Sequence, residues 1–297
     1  MLLFTIVVLI ITALYFLVKW IKHKCIYCPS VGSNLNIAKF ANELRKDFGP
    51  NIEFNKIIIH TPDKEQLSAL RAHNPKTKTW ILFAHGNGAN MYYRTQTIKQ
   101  FLKFSSVLMF DYRGYGDSTG NPSEQGLYTD IYEVWSYLIN TGVKPENVIM
   151  YGESLGAAVV LHHARLLSEN NTIFGGLILQ CGFSSIRNYI RIKTETILSS
   201  SSKSTFVVSN LAKLIGAIAG DEYNSVFNIA HIYENAPVLI SHSPYDEVTE
   251  FEHSQILLKA CKSEKIEFYK LNGSHCPGLY DIAYLNKINE FITKHIS

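Results

Sequence analysis

From residue 79 onward, short continuous apolar runs alternate with longer stretches of helical spacing. "TWILFA", "SSVLMFD", "NVIMYG", "GGLILQC", "APVLISH" and "KIEFYKL" are too short for stable helices and read as strands, the first covered on both faces and the second buried. Between them, "MYYRTQTIKQFLKF", "LYTDIYEVWSYLIN", "LGAAVVLHHARLL" and "EFEHSQILLKAC" read as helices, as does the closing "LYDIAYLNKINEFITKHI". In the second, Ile131, Val134, Trp135 and Leu138 mark one face. Upstream, "IEFNKIIIH" and "QLSALRAH" flank the polar "TPDKE" and predict a hairpin. The alternation predicts an α/β fold: a mostly parallel central sheet, helices on both faces and right-handed crossovers. One interval breaks it. More than fifty residues between Cys181 and Pro237 hold no clear strand but include "SSSSKS" and "FVVSNLAKLIGAIAG". They predict a small helical lid over 182–235.

The first segment follows a different pattern. No side chain from Met1 to Val18 is charged, and Lys19, Lys22 and Lys24 follow at once. As a helix this run spans roughly 27 Å, near the thickness of a bilayer's hydrocarbon core. It lacks the leading positive charge and small-residue cleavage site of a secretory signal, so it predicts an uncleaved transmembrane anchor over 1–21. A juxtamembrane linker over 22–51, leading into a short helix, and one folded domain over 52–297 follow. The lysine flank predicts that this domain stays on the cytoplasmic side. The net charge of +3 is too small to suggest nucleic acid. Five cysteines without a regular framework argue against a disulfide scaffold. Cys25 and Cys28 stand where juxtamembrane acylation occurs, and no second ligand pair gives them zinc-finger spacing.

The candidate chemistry sits at the end of "NVIMY". Gly152-Glu153-Ser154-Leu155-Gly156 fits the G-x-S-x-G elbow, between a strand and a helix. The glycines answer a backbone approach too close for a Cβ, and the turn presents the serine hydroxyl at a helix N-terminus. A serine needs a base, and the base an orienting acid, in the chain order Ser, acid, His. "APVLISHSPYDEV" supplies Asp246 after a late strand, with Glu247 as the alternative. "KIEFYKLNGSHCPG" supplies His275 after the last strand. The oxyanion hole is expected from the backbone N–H of Leu155 and of Asn87 in "HGNG". That loop lacks the spacing and ending of either nucleotide motif. His162, His163 and His242 read as structural, and Asp111 as loop-stabilising.

Together "FAHGNGAN", "FDYRGYGDSTGNPSEQGLYTDI", "NVIMYGESLG" and "VLISHSPYDEV" resemble the α/β-hydrolase-domain proteins, in the branch of the membrane-associated protein depalmitoylases and a single-pass relative. The resemblance runs from about residue 52 to the C-terminus and is weakest in the lid. It implies an α/β-hydrolase fold with Ser154 as nucleophile, Asp246 as acid, His275 as base, and Asn87 and Leu155 as oxyanion donors. It also implies cleavage of acyl esters or thioesters, often lipidic, with neither cofactor nor metal. The expected partners are an acyl-chain substrate, from a lipid or an acylated protein, and the membrane. Lysophospholipase, monoglyceride lipase or general esterase activity is the alternative, and an inactive hydrolase fold that only binds is the non-enzymatic one. Ser243 stands where the family usually has glycine, and Cys276-Pro277 follow the histidine where some members have "ND". Two sequons, Asn170-Asn171-Thr172 and Asn272-Gly273-Ser274, would be silent in a cytoplasmic domain.

Overall fold

Strands apolar along their whole length must be covered on both faces, and the sheet meets that demand. The computed structural model describes residues 12, 23–24, 26–32, 35–199, 205–277 and 281–296. Among them the sheet strands are β1 (Glu53–His60), β2 (Gln66–His73), β3 (Trp80–Ala84), β4 (Ser106–Phe110), β5 (Val148–Glu153), β6 (Gly176–Gln180), β7 (Val238–His242) and β8 (Ile266–Lys270). Their spatial order is β1-β2-β4-β3-β5-β6-β7-β8. β2 runs antiparallel to β1 and β4, and the other pairs are parallel. Every residue of β3, β4, β6 and β7 is buried, as their continuous apolar runs require. β1, at the edge, mixes buried and exposed positions.

Alternate residues of the central strands feed two cores. Leu82, Met150 and Leu177 pack with Leu127, Ile131 and Val134 of α3 (Glu124–Asn140) and with Val159 of α4 (Leu155–Glu169). Ile81, Phe83, Ile149 and Ile178 pack with α1 (Ile37–Phe48), α2 (Thr95–Phe101) and α8 (Ile282–His295) through Leu44, Phe101 and Phe291. Each such side chain contributes about 1.5–3 kcal/mol on burial.

The segment expected to be linker is in part built into the domain. In α1, Phe40, Ala41 and Leu44 share the buried face, and Phe40 meets Phe54 of β1 edge-on at 5.1 Å. Asn36 caps the helix by accepting from the Lys39 N–H. Upstream, Cys28–Pro29 forms a short parallel strand with Gly88–Ala89. The lid contains α5 (Ile186–Ser199), α6 (Thr205–Ala219) and α7 (Ser225–Ile229), as the absence of strand patterning predicts. α6 buries Val208 and Ala212, while Phe206, Val207, Leu211, Leu214 and Ile218 are exposed. A Cβ on Gly216 would stand 2.8 Å from the Arg187 carbonyl oxygen, so glycine there lets the two lid helices touch. No helix among the described residues is long and apolar enough to cross a membrane. The expected anchor, apart from residue 12, lies outside them.

Candidate active site

The β5–α4 turn is where a side chain would do most harm. A Cβ on Gly152 would lie 2.5 Å from the backbone of Ala157, and one on Gly156 would lie 2.0 Å from the Ala84 carbonyl oxygen of β3. Between them Ser154 takes φ 52°, ψ −110°, a conformation that a residue with a Cβ rarely adopts. Such strain costs about 1–3 kcal/mol and persists only where the surroundings enforce it. They do so here: the Ser154 N–H donates to the Gln180 carbonyl at 2.8 Å, at the end of neighbouring β6. Leu155 is the first residue of α4, so its N–H has no carbonyl partner within the helix.

Asp246 and His275 are brought together by the loops after β7 and β8. His275 Nδ1 lies 2.8 and 3.0 Å from the two carboxylate oxygens of Asp246. The N–H groups of Val248 and Thr249 donate to Asp246 Oδ1 at 2.9 and 2.8 Å, and His242 Nε2 lies 3.3 Å from Oδ2. Burial alone would raise the Asp246 carboxyl, but the hydrogen bonds from His242, His275 and the Thr249 N–H outweigh it and hold it far below the ordinary carboxylate range. An ionised carboxylate requires N–H on His275 Nδ1, which leaves the lone pair on Nε2. Glu247 takes no part in this contact. Ser243, the departure from the usual glycine, donates its hydroxyl to the Gly273 carbonyl and accepts the Tyr245 N–H at 3.1 Å. It thereby ties the Asp246 loop to the His275 loop.

The three candidate residues occupy the same carboxyl edge of the sheet. Ser154 is bonded to Gln180, and the next residue, Cys181, donates its N–H to Ser241 of β7. The ligating atoms of Cys181, Cys276 and His275 lie within 4.8 Å of one another. Among the described residues no hydrogen bond joins Ser154 Oγ to His275 Nε2. Nε2 faces Cys276 Sγ instead, at 3.5 Å.

The loop expected to carry the second oxyanion donor lies directly over the elbow: a Cβ on Gly86 would stand 3.5 Å from Ser154 Cβ. The Asn87 carbonyl accepts from the Cys28 N–H at 3.2 Å and from the Tyr115 hydroxyl at 3.0 Å, so the segment after the lysines braces this loop. Asp111 does act on loop structure, accepting the Met91 N–H at 2.6 Å and lying 3.4 Å from His85 Nε2.

Two residues escaped the motif reading. Arg94 Nη2 binds Glu153 Oε1 at 2.7 Å, and its Nη1 donates to the Gly88 and Asn90 carbonyls at 3.2 and 3.3 Å. One guanidinium thus fastens the glycine-rich loop to the residue before Ser154. Burial works against the Glu153 carboxylate, but the Arg94 charge and hydrogen bond outweigh it and hold its pKa below the ordinary value. The only hint in the sequence was that Glu153 fills a variable elbow position, and nothing there names its partner. Arg94→Ala should cost about 2–4 kcal/mol, below the full range for a buried pair because both side chains keep some exposure. It should also lower kcat at least about tenfold through the loosened loop. Thermal unfolding and steady-state kinetics check this, and Arg94→Lys should recover only part, since an ammonium cannot reproduce the fork.

Asp246 also makes a pH prediction. Its folded-state pKa is depressed, so the stability it contributes is fully present above the unfolded value, about 3.9, and is lost as pH falls through the folded one. The difference in Tm between the protein and Asp246→Asn should therefore be constant near neutrality and shrink below about pH 4. A gap that stays constant into acid would remove the carboxylate's charge from the account.

Residues 75–219 match the family described as serine aminopeptidase, S33. An uncharacterized protein, R595, of Acanthamoeba polyphaga mimivirus is 31% identical over 274 residues, covering 88% of this chain and 89% of that one. Human α/β-hydrolase domain-containing protein 17B is 26% identical over 229 residues, 75% of this chain and 69% of its own length. Among solved structures, the Pyrococcus furiosus esterase Pf2001 superposes with a TM-score of 0.68 at 17% identity, covering 92% of this chain and 98% of that one. Fold, motifs and relatives agree: the chain is a hydrolase and belongs to the α/β-hydrolase-domain family, in the branch that includes domain-containing protein 17B.

Proposed function

We propose that the protein is a membrane-anchored serine hydrolase that cleaves acyl esters or thioesters through an acyl-enzyme on Ser154. The observation that carries this reading is a strained elbow serine and a carboxylate-bound histidine at the same edge of the sheet. In the reaction His275 Nε2 takes the Ser154 proton as Oγ attacks the acyl carbon, and Asp246 stabilises the imidazolium that results. The N–H groups of Leu155 and Asn87 receive the developing oxyanion. The protonated imidazole then passes its proton to the leaving alcohol or thiol. Water, deprotonated by the same nitrogen, releases the carboxylic acid. Attack requires His275 Nε2 to turn from Cys276 toward Ser154, a closure expected on substrate binding.

The uncharged run before Lys19 supports attachment to the cytoplasmic face of a membrane. The exposed apolar face of α6 would lie against lipid, where acyl chains are concentrated. Tyr27, just after the lysines, is bonded to Tyr223, just after α6, at 2.7 Å. The segment after the lysines and the helical insertion are therefore neighbours. Two measurements test this reading. Full-length protein should float with liposomes, and deletion of residues 1–22 should weaken flotation at least about tenfold. Matched acyl thioesters and lysophospholipids, compared with the soluble ester p-nitrophenyl acetate, should show preference for the acyl-chain substrates. Hydrolysis of the short ester alone would favour a general esterase, and failure of a fluorophosphonate to label Ser154 would leave the binding protein.

A further inference from the structure

We propose that Cys181, Cys276 and His275 form a binding site for a thiophilic divalent cation, zinc being the type case, and that its occupation switches the hydrolase off. The inhibitory consequence rests on the reading of His275 as the base; the site itself does not.

The ligand set is soft and compact. Two thiol sulfurs and an imidazole nitrogen lie within 4.8 Å of one another, and Cys276 Sγ stands 3.5 Å from His275 Nε2. A tetrahedral zinc with ordinary Zn–N and Zn–S lengths sets an N···S edge of about 3.5 Å and an S···S edge of about 3.8 Å. The cluster therefore needs to contract by about 1.3 Å at most along its other edges. Thiolate and imidazole ligands select zinc over magnesium or calcium, which prefer oxygen.

The surroundings favour ligation too. Asp246 accepts from His275 Nδ1 at 2.8 Å, which leaves the lone pair on Nε2 and fixes the ring, as in carboxylate–histidine–zinc arrangements. Cys276 has φ 49°, a left-handed conformation that folds its thiol back onto the preceding histidine. Cys181 is wholly buried and has φ 49° as well. Binding releases two thiol protons to solvent, so the dication and two thiolates form a neutral unit that burial tolerates. The fourth position is left for a water molecule. The metal and the serine proton compete for one atom, since Nε2 cannot hold both.

Cobalt(II) added to metal-free protein tests the site without reference to catalysis. The expected result is one equivalent bound, with the visible bands of tetrahedral cobalt and a thiolate-to-cobalt charge-transfer band. Cys276→Ser and Cys181→Ser, measured separately so that one folding failure does not end the test, should each weaken binding at least about tenfold. Zinc should inhibit hydrolysis with the same stoichiometry, reversibly on adding EDTA, and each serine variant should lose that inhibition relative to its own zinc-free rate. Octahedral cobalt without the charge-transfer band, or unchanged binding in both variants, overturns the site. A cobalt spectrum in a protein with no hydrolase activity leaves the site standing and removes the catalytic reading. An active protein with no cobalt spectrum does the reverse.

Discussion

Ser154→Ala should lower turnover of an acyl thioester by at least about 10³-fold and abolish fluorophosphonate labelling, with thermal stability unchanged. The expectation follows from what the elbow costs. Ser154 holds a strained backbone at φ 52°, ψ −110°, and no side-chain cap bond repays it. Alanine keeps a Cβ and therefore keeps the strain, so only the chemistry is removed. Ser154→Gly removes both, and should be at least as stable as the parent while equally inactive. Loss of activity without loss of Tm separates a nucleophile from a structural residue. Equal turnover by parent and Ser154→Ala would end the serine mechanism.

Gly156→Ala should have the largest effect on folding, at least about 4 kcal/mol, and reach the soluble fraction poorly. The added carbon would stand 2.0 Å from the Ala84 carbonyl oxygen and 2.6 Å from its carbonyl carbon. Neither partner can retreat. Ala84 belongs to β3, which is paired on both sides with β4 and β5. Residue 156 lies in the first turn of α4, whose Val159, Val160 and Leu161 are wholly buried. Gly88→Ala is the matching control: nothing stands within 4 Å of its added carbon, so it should change Tm by little. A Gly156→Ala protein that melts within about 2 °C of the parent would mean that α4 does not seat on β3 in this way.

The elbow was legible because its constraints are local. Gly152, Ser154 and Gly156 are close in the chain, and their spacing reports a turn too tight for side chains at its ends. The order of Asp246 and His275 was legible for a related reason, since each follows a buried strand whose apolar run marks its end. Arg94 and Glu153 were not. They are 59 residues apart, and a charged side chain at either position suits a solvent-exposed loop equally well. The stretch over 22–51 held only one amphipathic helix and no strand run. Its contacts with Asn87 and with Phe54 run through the backbone and a single aromatic ring, which leave no periodic trace.

The strands, the helices, the strandless interval over 182–235 and the candidacy of Ser154, Asp246 and His275 could all be read from the chain alone. Hydrophobic periodicity and turn chemistry are short-range properties, written out in chain order. What faces what was settled by the packing of distant segments. Parallel crossovers set β5, β6, β7 and β8 side by side, and so bring Cys181 and Cys276, 95 positions apart in the numbering, to the same imidazole. Which atom stands opposite His275 Nε2 depends on the register of four strands and the backbone of two loops, and no local pattern encodes that.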